Sequence, residues 1–243
     1  MRSGSLIEVR GVNKKYRGRK ALKDITFDVR EGEVLGIIGP NGAGKTTLIS
    51  LLATINRPES GSIHISGVDI LKDPGKIRAS LGYVPQENAL YPMLTAYENL
   101  DFWAGIYGVD KKVKKENIDF VLRLLRLEDR KDDKVRTFSG GMKKRLNIAA
   151  SLLHDPGILI MDEPTAGVDI LSRVTIADLI LELKKSGRTI IITSHHVDDL
   201  EDICDRIIVL REGNLLYSGS PGEIMESTGC GDLEQLMLRL EEV

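Results

Sequence analysis

Apolar and polar positions follow two different periods along the chain, and segments of the two kinds alternate. Short segments of apolar and β-branched residues predict strands. They lie at 6–12, 34–38, 81–84, 158–161, 189–193 and 207–210. Longer amphipathic stretches separate them, which is typical of an α/β protein. The nearly continuous apolar character of 158–161 and 189–192 favours central parallel strands, because strands covered on both faces lose the alternation of apolar and polar residues.

The stretch from 87 to 153 has a different pattern, with apolar residues at helical spacing and few strand signals. Helices are predicted at 96–107, 113–127 and 140–153. In the second of these, Val121, Leu122 and Leu125 form an apolar side, and the lysines are left to water. We therefore predict a helical lobe and interpret its basic residues as a solvated face.

Composition limits the size and the class of the protein. With 42% hydrophobic and 29% charged residues, the 243-residue chain can bury a core, and its length favours one domain with an appended lobe. A net charge of −2 provides no overall field that recruits nucleic acid or anionic lipid. Cys204 and Cys230 are too few for a disulfide framework, which fits a reduced, cytoplasmic chain. No apolar run reaches the roughly 18 to 20 residues that span a bilayer, so any membrane role is expected to be peripheral.

One glycine-rich segment carries the strongest chemical signal. It matches G-x-x-x-x-G-K-[ST], lies between the predicted strand 34–38 and the amphipathic stretch 48–55, and consists of Gly39, Pro40, Asn41, Gly42, Ala43, Gly44, Lys45, Thr46 and Thr47. Glycines let the backbone wrap closely, so that its N–H groups and the following helix N-terminus point at phosphate oxygens. Lys45 is predicted to contact the β- and γ-phosphates and Thr46 a Mg²⁺ ion. The alternative is an ordinary strand-to-helix turn. The Lys-Thr pair, together with the strand before the segment and the amphipathic stretch after it, disfavours that alternative.

Two adjacent carboxylates, Asp162 and Glu163, follow the apolar segment 158–161. Ligands bind at the carboxyl ends of parallel strands. Because neighbouring side chains on a strand point in opposite directions, we predict that Asp162 faces the Mg²⁺ ion and that Glu163, where the strand gives out, addresses a water molecule near the γ-phosphate. In isolation the pair is an ordinary solvated turn before Pro164. Together with the phosphate loop it favours nucleotide chemistry.

Ser139, Gly140 and Gly141 open the helical stretch 140–153. A serine N-cap followed by exposed N–H groups makes a second candidate phosphate cradle. Since one nucleotide has little need of two cradles from one chain, a site shared between two copies is an attractive hypothesis. On its own, the segment is a weak signal for function, because it is also an ordinary helix start.

Two further side chains each have two interpretations. Tyr16 lies among Lys14, Lys15 and Arg17, where it can stack on a base with help from neighbouring cations; the alternative is a surface tyrosine. His195 follows an apolar strand and precedes an acidic segment, a position that suits sensing of a γ-phosphate. The alternative is a capping histidine.

Together these residues resemble the ATP-binding cassette family over nearly the whole chain. Beyond the phosphate loop and the carboxylates, the matching motifs are the Q-loop at 85–87, the signature motif at 137–142, the D-loop at 166–169, the switch histidine at 193–195 and the adenine-stacking position of Tyr16. The resemblance implies an α/β fold: a P-loop NTPase core with a mainly parallel sheet, an N-terminal antiparallel β region and an inserted α-helical lobe. We therefore expect a single ATPase domain made of an α/β core (1–86 and 154–220), a helical lobe (87–153) and a short helical C-terminal extension (221–243).

The resemblance also implies that two chains form a head-to-tail homodimer, or that the chain pairs with a related cassette. Each ATP is then held between the phosphate loop of one chain and residues 139–141 of the other. Met142 and Phe138 stand where the family more commonly has glutamine and leucine, and neither change touches the backbone cradle. The catalytic residues implied are Lys45, Gln86, Glu163 and His195, and the Mg²⁺ ligands implied are Thr46, Gln86 and Asp162.

The transporter interpretation requires a separate transmembrane permease and a location at the cytoplasmic face of the membrane, and no nucleic-acid partner is expected. The stretch 87–100 has the composition of a docking surface or of a lobe core. Segments 218–223 and 233–240 are similar to the tail of bacterial drug-export cassettes, which favours an exporter. The alternatives are a soluble cassette ATPase that acts on nucleic acid or ribosomes, and a scaffold that uses ATP only to dimerise; Glu163 and His195 argue against the scaffold.

Overall fold

The computed structural model describes residues 5–194 and 197–241. Within these ranges the strands are β1 (Ser5–Tyr16), β2 (Arg19–Arg30), β3 (Val34–Ile38), β4 (Ser60–Ile65), β5 (Val68–Asp69), β6 (Leu81–Val84), β7 (Ile158–Asp162), β8 (Thr189–Thr193), β9 (Arg206–Arg211) and β10 (Asn214–Gly219). The helices are α1 (Lys45–Leu52), α2 (Pro74–Ala79), α3 (Ala96–Ile106), α4 (Lys111–Leu124), α5 (Gly140–Leu152), α6 (Ile170–Lys185), α7 (Asp198–Ile203), α8 (Pro221–Thr228) and α9 (Leu233–Glu241).

A six-stranded sheet in the order β10-β9-β3-β8-β7-β6 forms the centre of the molecule. β3 pairs in parallel with β8 and β9, β7 pairs in parallel with β8 and β6, and β10 is antiparallel to β9. Every residue of β3, β7 and β8 is buried. The prediction of a mainly parallel sheet with covered central strands is confirmed. The chain segments that follow β3, β6, β7 and β8 therefore leave the sheet at the same edge.

A second, antiparallel sheet has the order β2-β1-β4-β5 and confirms the predicted N-terminal β region. In β2, Ile25 and Phe27 are buried while Thr26 is exposed, so one face of the strand is apolar. This face belongs to the same core as Leu48 of α1 and Ile160 of β7. The second sheet and α1 therefore cover one face of the central sheet.

Helices α3, α4 and α5 pack on one another and form the predicted helical lobe. Their buried side chains include Leu100, Ile118 and Leu146, which share one apolar core with Val34 and Leu159 of the central sheet. The helical lobe therefore packs directly against the central sheet.

Helices α4 and α1 begin earlier than the predicted amphipathic stretches. α4 begins at Lys111, earlier than predicted, because the Asp110 side chain accepts a hydrogen bond from the Lys112 N–H at 2.9 Å. It ends at Leu124, and the backbone turns at Arg126, whose φ is +55°. α1 begins at Lys45 instead of position 48, so the phosphate loop leads directly into the helix.

The C-terminal segment consists of two short helices. Ser220 and Glu223 form a capping box at the start of α8, and Gly229 ends the helix in a left-handed conformation. α9 buries Leu233, Leu236 and Leu240. Among the residues that the structure describes, no helix is both long and apolar enough to cross a membrane.

Candidate functional site

The glycine-rich segment forms the turn between β3 and α1. Gly39 has φ +150° and Gly44 has φ +109°, values that side-chain-bearing residues rarely adopt. A Cβ atom on Gly39 would lie 2.1 Å from the carbonyl oxygen of Leu210, and one on Gly44 would lie 2.6 Å from that of Ala21. Both positions therefore require glycine for space as well as for conformation.

Lys45 is buried at the first position of α1. Its Nζ donates to the carbonyl oxygens of Gly39 at 2.6 Å and Pro40 at 3.2 Å. Burial lowers the pKa of Lys45, and the negative charges of Glu163, Asp162 and Glu241 oppose this shift. The ammonium group thus lies within electrostatic reach of both carboxylates at the end of β7.

Asp162 and Glu163 share one hydroxyl partner. Oδ1 of the buried Asp162 accepts a hydrogen bond from Thr193 Oγ1 at 2.7 Å, and the same Oγ1 accepts from the Glu163 N–H at 3.0 Å. Glu163 has φ +50°, so the strand conformation ends there. The sequence predicted that the strand gives out at this residue, and a left-handed turn of the backbone directs the Glu163 side chain.

Gln86 comes two residues after β6 and reaches the catalytic candidate Glu163. Its Nε2 donates to Glu163 Oε2 at 2.8 Å, across a sequence separation of 77 residues. The contact arises because β6 and β7 are neighbouring parallel strands and end at the same edge. The amide thus fixes the position of the carboxylate.

A cavity of about 270 Å³ lies over the phosphate loop. Its wall brings together most of the predicted phosphate and Mg²⁺ residues, and consists of Ala21, Asn41, Gly42, Ala43, Gly44, Lys45, Thr46, Thr47, Gln86 and Glu163. Asp162 is buried and is not part of this wall. Backbone N–H groups at a helix N-terminus, one lysine and no more than one carboxylate make the cavity suitable for an anion.

A larger cavity of about 1070 Å³ adjoins the first and shares Ala21, Asn41, Gly42 and Ala43 with it. Tyr16 lines this cavity and is 44% exposed, and Lys14 Nζ lies 5.2 Å from its ring centroid. Tyr16 therefore lies at the surface and also beside the phosphate loop. This position is compatible with base stacking and with an ordinary surface tyrosine. Sequence reasoning missed the basic residues of this wall, which are Arg19, Lys20, Lys23 and Arg211.

We expect Tyr16→Ala to weaken ATP binding by roughly 5- to 30-fold, because base stacking on an aromatic ring contributes about 1–2 kcal/mol. Tyr16→Phe keeps the ring and is expected to bind like the unmodified chain. Equilibrium titration with a fluorescent ATP analogue measures both. Equal affinities for the alanine and phenylalanine variants would place the base elsewhere.

The segment 139–141 begins α5 and lines neither cavity at the phosphate loop. Ser139 caps the helix as predicted, with its hydroxyl accepting from the Met142 N–H at 3.2 Å. Gly141 packs against α6, where a Cβ atom on it would lie 1.9 Å from Ser172 Oγ. Ser172 donates from its N–H and its hydroxyl to Asp169, both at 2.9 Å, and these hydrogen bonds lower the pKa of Asp169. Signature motif and D-loop are thus packed together, apart from the phosphate loop of the same chain.

Comparison with known families identifies the family of the chain. A family model described as "ABC transporter" matches residues 22–166. The chain belongs to the ABC transporter family. As a member of this family it is an ATP-binding cassette with ATPase activity, which confirms the resemblance and the fold class predicted from the sequence.

Two similar curated relatives of this ABC protein are bacterial. The linearmycin resistance ATP-binding protein LnrL of Bacillus subtilis (strain 168) is 41% identical over 231 residues, which cover 95% of this chain and 74% of the relative. The Nod factor export ATP-binding protein I of Ralstonia nicotianae is 35% identical over 233 residues, covering 96% of this chain and 73% of the relative.

Two solved structures share the fold of this ABC protein. An ATP-binding subunit of an ABC transporter superposes with a TM-score of 0.87 and 31% identity, covering 98% of this chain and all of the other. A cassette in a dimeric post-hydrolysis state bound to ADP and Pi superposes with a TM-score of 0.81 and 26% identity, covering 88% of this chain and 98% of the other.

The donor set at the phosphate loop of this ABC protein fits a Mg²⁺ ion held largely by a nucleotide. Mg²⁺ in such sites takes one or two protein oxygens besides phosphate oxygens and waters. Thr46 offers a hydroxyl on the cavity wall, and Gln86 directs its amide nitrogen to Glu163, so its amide oxygen is the atom suited to a cation. Across 5–194 and 197–241, no group of three or more His, Cys, Asp or Glu side chains could hold a metal by itself. The switch candidate His195 lies outside the described residues.

Sequence reasoning also missed the part played by Thr193. It stood in the motif 193–195 without a role, yet its hydroxyl contacts Asp162 and Glu163 together. A polar residue that ends an otherwise apolar central strand is the signal in the sequence, since such strands leave the sheet at the ligand-binding edge.

Proposed function

We propose that the chain is the ATP-binding and ATP-hydrolysing subunit of an ABC exporter, and that it works as a head-to-tail dimer that drives a separate membrane permease. The observation that carries this proposal is the meeting of Lys45, Gln86 and Glu163 around one cavity from which Ser139 of the same chain is absent. A nucleotide in this cavity therefore requires a second chain to supply the signature motif.

We assign the roles in hydrolysis as follows. The backbone of 39–47 cradles the phosphates, and Lys45 stabilises the charge that develops on the transferring phosphoryl group. Glu163 accepts a proton from the attacking water, with its carboxylate oriented by Gln86 and its backbone by Thr193.

The remaining assignments rest on the sequence motifs. Thr46, Gln86 and Asp162 would hold Mg²⁺, which when bound neutralises phosphate charge. His195 senses the γ-phosphate, and residues 139–141 of the partner subunit complete the site.

Exposed apolar side chains beside the D-loop support the dimer. Ile170 and Leu171 are 77% and 76% exposed, and Val174 is 53% exposed. They lie on the first two turns of α6, directly after Asp169. Adjacent apolar side chains that are this exposed favour a surface covered by another protein. The related cassette in the post-hydrolysis state is itself described as dimeric.

A second exposed patch supports docking to a permease. Tyr91 and Met93 are 46% and 62% exposed, and the Tyr91 ring lies 4.9 Å from that of Phe102, which is 39% exposed. Leu90 and Tyr97, from the same predicted stretch, pack on the lobe core instead. The stretch 87–100 thus serves both as core and as surface. The patch follows Gln86 closely in the chain, so movement at the nucleotide site is transmitted to the docked permease at the cytoplasmic face of the membrane.

The export assignment is supported by two relatives, one of which is a resistance protein and the other an export protein. It is tested by isolating the tagged chain from detergent-solubilised membranes of its source cells. We expect an integral membrane protein to accompany it and to raise ATP turnover, and we expect Met93→Asp to abolish both effects. Unchanged turnover and no membrane protein would contradict the assignment.

The same preparation tests the other function classes. Filter binding of DNA and RNA between 50 and 200 mM salt would show tight, strongly salt-dependent affinity if the chain were a soluble nucleic-acid ATPase. We expect no such affinity at a net charge of −2. Binding of ATP without any turnover would instead identify a scaffold.

A further inference from the structure

Lys144 is a buried cation that touches two segments of the nucleotide site without lining its cavity. The residue is 5% exposed and lies on α5. Its Nζ donates to the carbonyl oxygen of Gln86 at 2.5 Å and to that of Glu163 at 3.3 Å. One ammonium group therefore joins the main chains of the two residues whose side chains meet in the site.

The Glu163 backbone needs such support. Its φ of +50° is a conformation that a non-glycine residue keeps only where the surroundings hold it. The Glu163 N–H is held by Thr193, and its carbonyl oxygen accepts from Lys144 and from the Ala166 N–H at 3.2 Å. The N–H and the carbonyl oxygen of Glu163 are thus both held by hydrogen bonds, and this sets the direction of its carboxylate.

The Q-loop is held by the same helix. Asn147, on the next turn of α5, accepts from the Ala89 N–H at 3.1 Å and donates to the Pro85 carbonyl oxygen at 3.3 Å. Together with Lys144 it anchors the backbone before, at and after Gln86. Lys144 contacts the backbones of Gln86 and Glu163, and the Gln86 side chain contacts the Glu163 carboxylate. These three contacts link α5 to the carboxylate.

The charge of Lys144 suits this position. Burial lowers the pKa of its ammonium group, and the negative charges of Glu163 and Asp162 oppose that shift. A buried ammonium ion is retained where carbonyl oxygens accept its hydrogens and carboxylates lie close by.

We propose that Lys144 is a positioning residue for hydrolysis, which binds the main-chain oxygens of Gln86 and Glu163 and so aims the Glu163 carboxylate. This inference rests on the proposed role of Glu163 as the base. Ser139 caps the helix that carries Lys144. Contact of the signature motif with the nucleotide of a second chain is therefore linked to the orientation of the Glu163 carboxylate in the first chain.

The test compares three lysine variants of the full chain. Lys144→Met is expected to lower kcat by roughly 10- to 100-fold, because small misplacements of a catalytic group carry losses of this size, and to leave the Kd for ATP within about 2-fold. Lys144→Arg keeps the charge and the donors and is expected to restore most of kcat. Lys143→Met removes the neighbouring charge on the same helix and is expected to leave kcat unchanged.

A double variant separates positioning from a general loss of structure. If Lys144 acts through Glu163, adding Lys144→Met to Glu163→Gln produces no further loss of kcat. Three results would overturn the inference: an equal loss of kcat from Lys144→Met in the unmodified chain and in Glu163→Gln, a raised Kd for ATP in Lys144→Met, or an unchanged kcat in Lys144→Met. Should Lys144→Met not fold, Lys144→Gln is measured in its place. Failure of the proposed function can be told apart from failure of this inference. If Glu163 were not the base, Glu163→Gln would keep its turnover whatever residue stands at position 144.

Discussion

Replacement of Glu163 by glutamine is expected to lower the steady-state rate of ATP hydrolysis by roughly 10²- to 10⁴-fold, the contribution of a positioned general base. Glutamine has the same size and still reaches Gln86, but it cannot accept the proton of the attacking water. Affinity for ATP is expected to stay the same, because the phosphate cradle is untouched. Phosphate release at saturating Mg-ATP measures the rate, and a fluorescent nucleotide measures the affinity.

The matched control for this experiment is Glu116→Gln, which removes an exposed carboxylate of α4. Its rate is expected to equal that of the unmodified chain. A Glu163→Gln variant with turnover within about 3-fold of the unmodified chain would refute the assignment of Glu163 as the base.

The second large effect is expected from Lys45→Ala. The Lys45 ammonium group is buried and donates to the carbonyl oxygens of Gly39 and Pro40. We expect these donors to turn to phosphate oxygens when ATP binds. Hydrogen bonds to charged groups contribute about 1.5–3 kcal/mol, so affinity for ATP is expected to fall roughly 10- to 150-fold, and hydrolysis with it. Isothermal titration with Mg-ATP measures this loss.

Lys115→Ala is the control for Lys45→Ala, because it removes an exposed lysine of α4 that lines neither cavity at the phosphate loop. Its affinity for ATP is expected to change by less than about 2-fold, as is usual for a screened surface charge. Thermal unfolding of both variants shows whether the loop itself is disturbed. If a folded Lys45→Ala variant bound ATP as tightly as the unmodified chain, the nucleotide would have to lie outside this cavity.

The parts of the structure that are local in sequence could be predicted. The strands at 34–38 and 189–193 were recognisable because burial on both faces removes polar residues from them. The phosphate loop was recognisable because Gly39 and Gly44 occupy backbone conformations and spaces that exclude a side chain. The Ser139 cap followed from the preference of helix starts for a hydroxyl that accepts a backbone N–H.

Contacts between distant segments could not be predicted in the same way. The hydrogen bond from Gln86 to Glu163 depends on the pairing of β6 with β7, which no local pattern specifies. The positive φ of Glu163 depends on partners from β8 and α5, so the pattern of the strand does not by itself specify the direction of this side chain. Lys144 is buried although lysines at a helix start are usually solvated, because the carbonyl oxygens that hold it come from two other segments.

The central claim, that two chains share each ATP, is tested most directly by multi-angle light scattering of Glu163→Gln with Mg-ATP. The isolated chain has a mass of 26.9 kDa. The account predicts about twice this mass when ATP is present and the monomer mass when it is removed, because binding closes the dimer and slowed hydrolysis keeps it closed. A monomer mass at ATP concentrations that saturate the site would contradict the account.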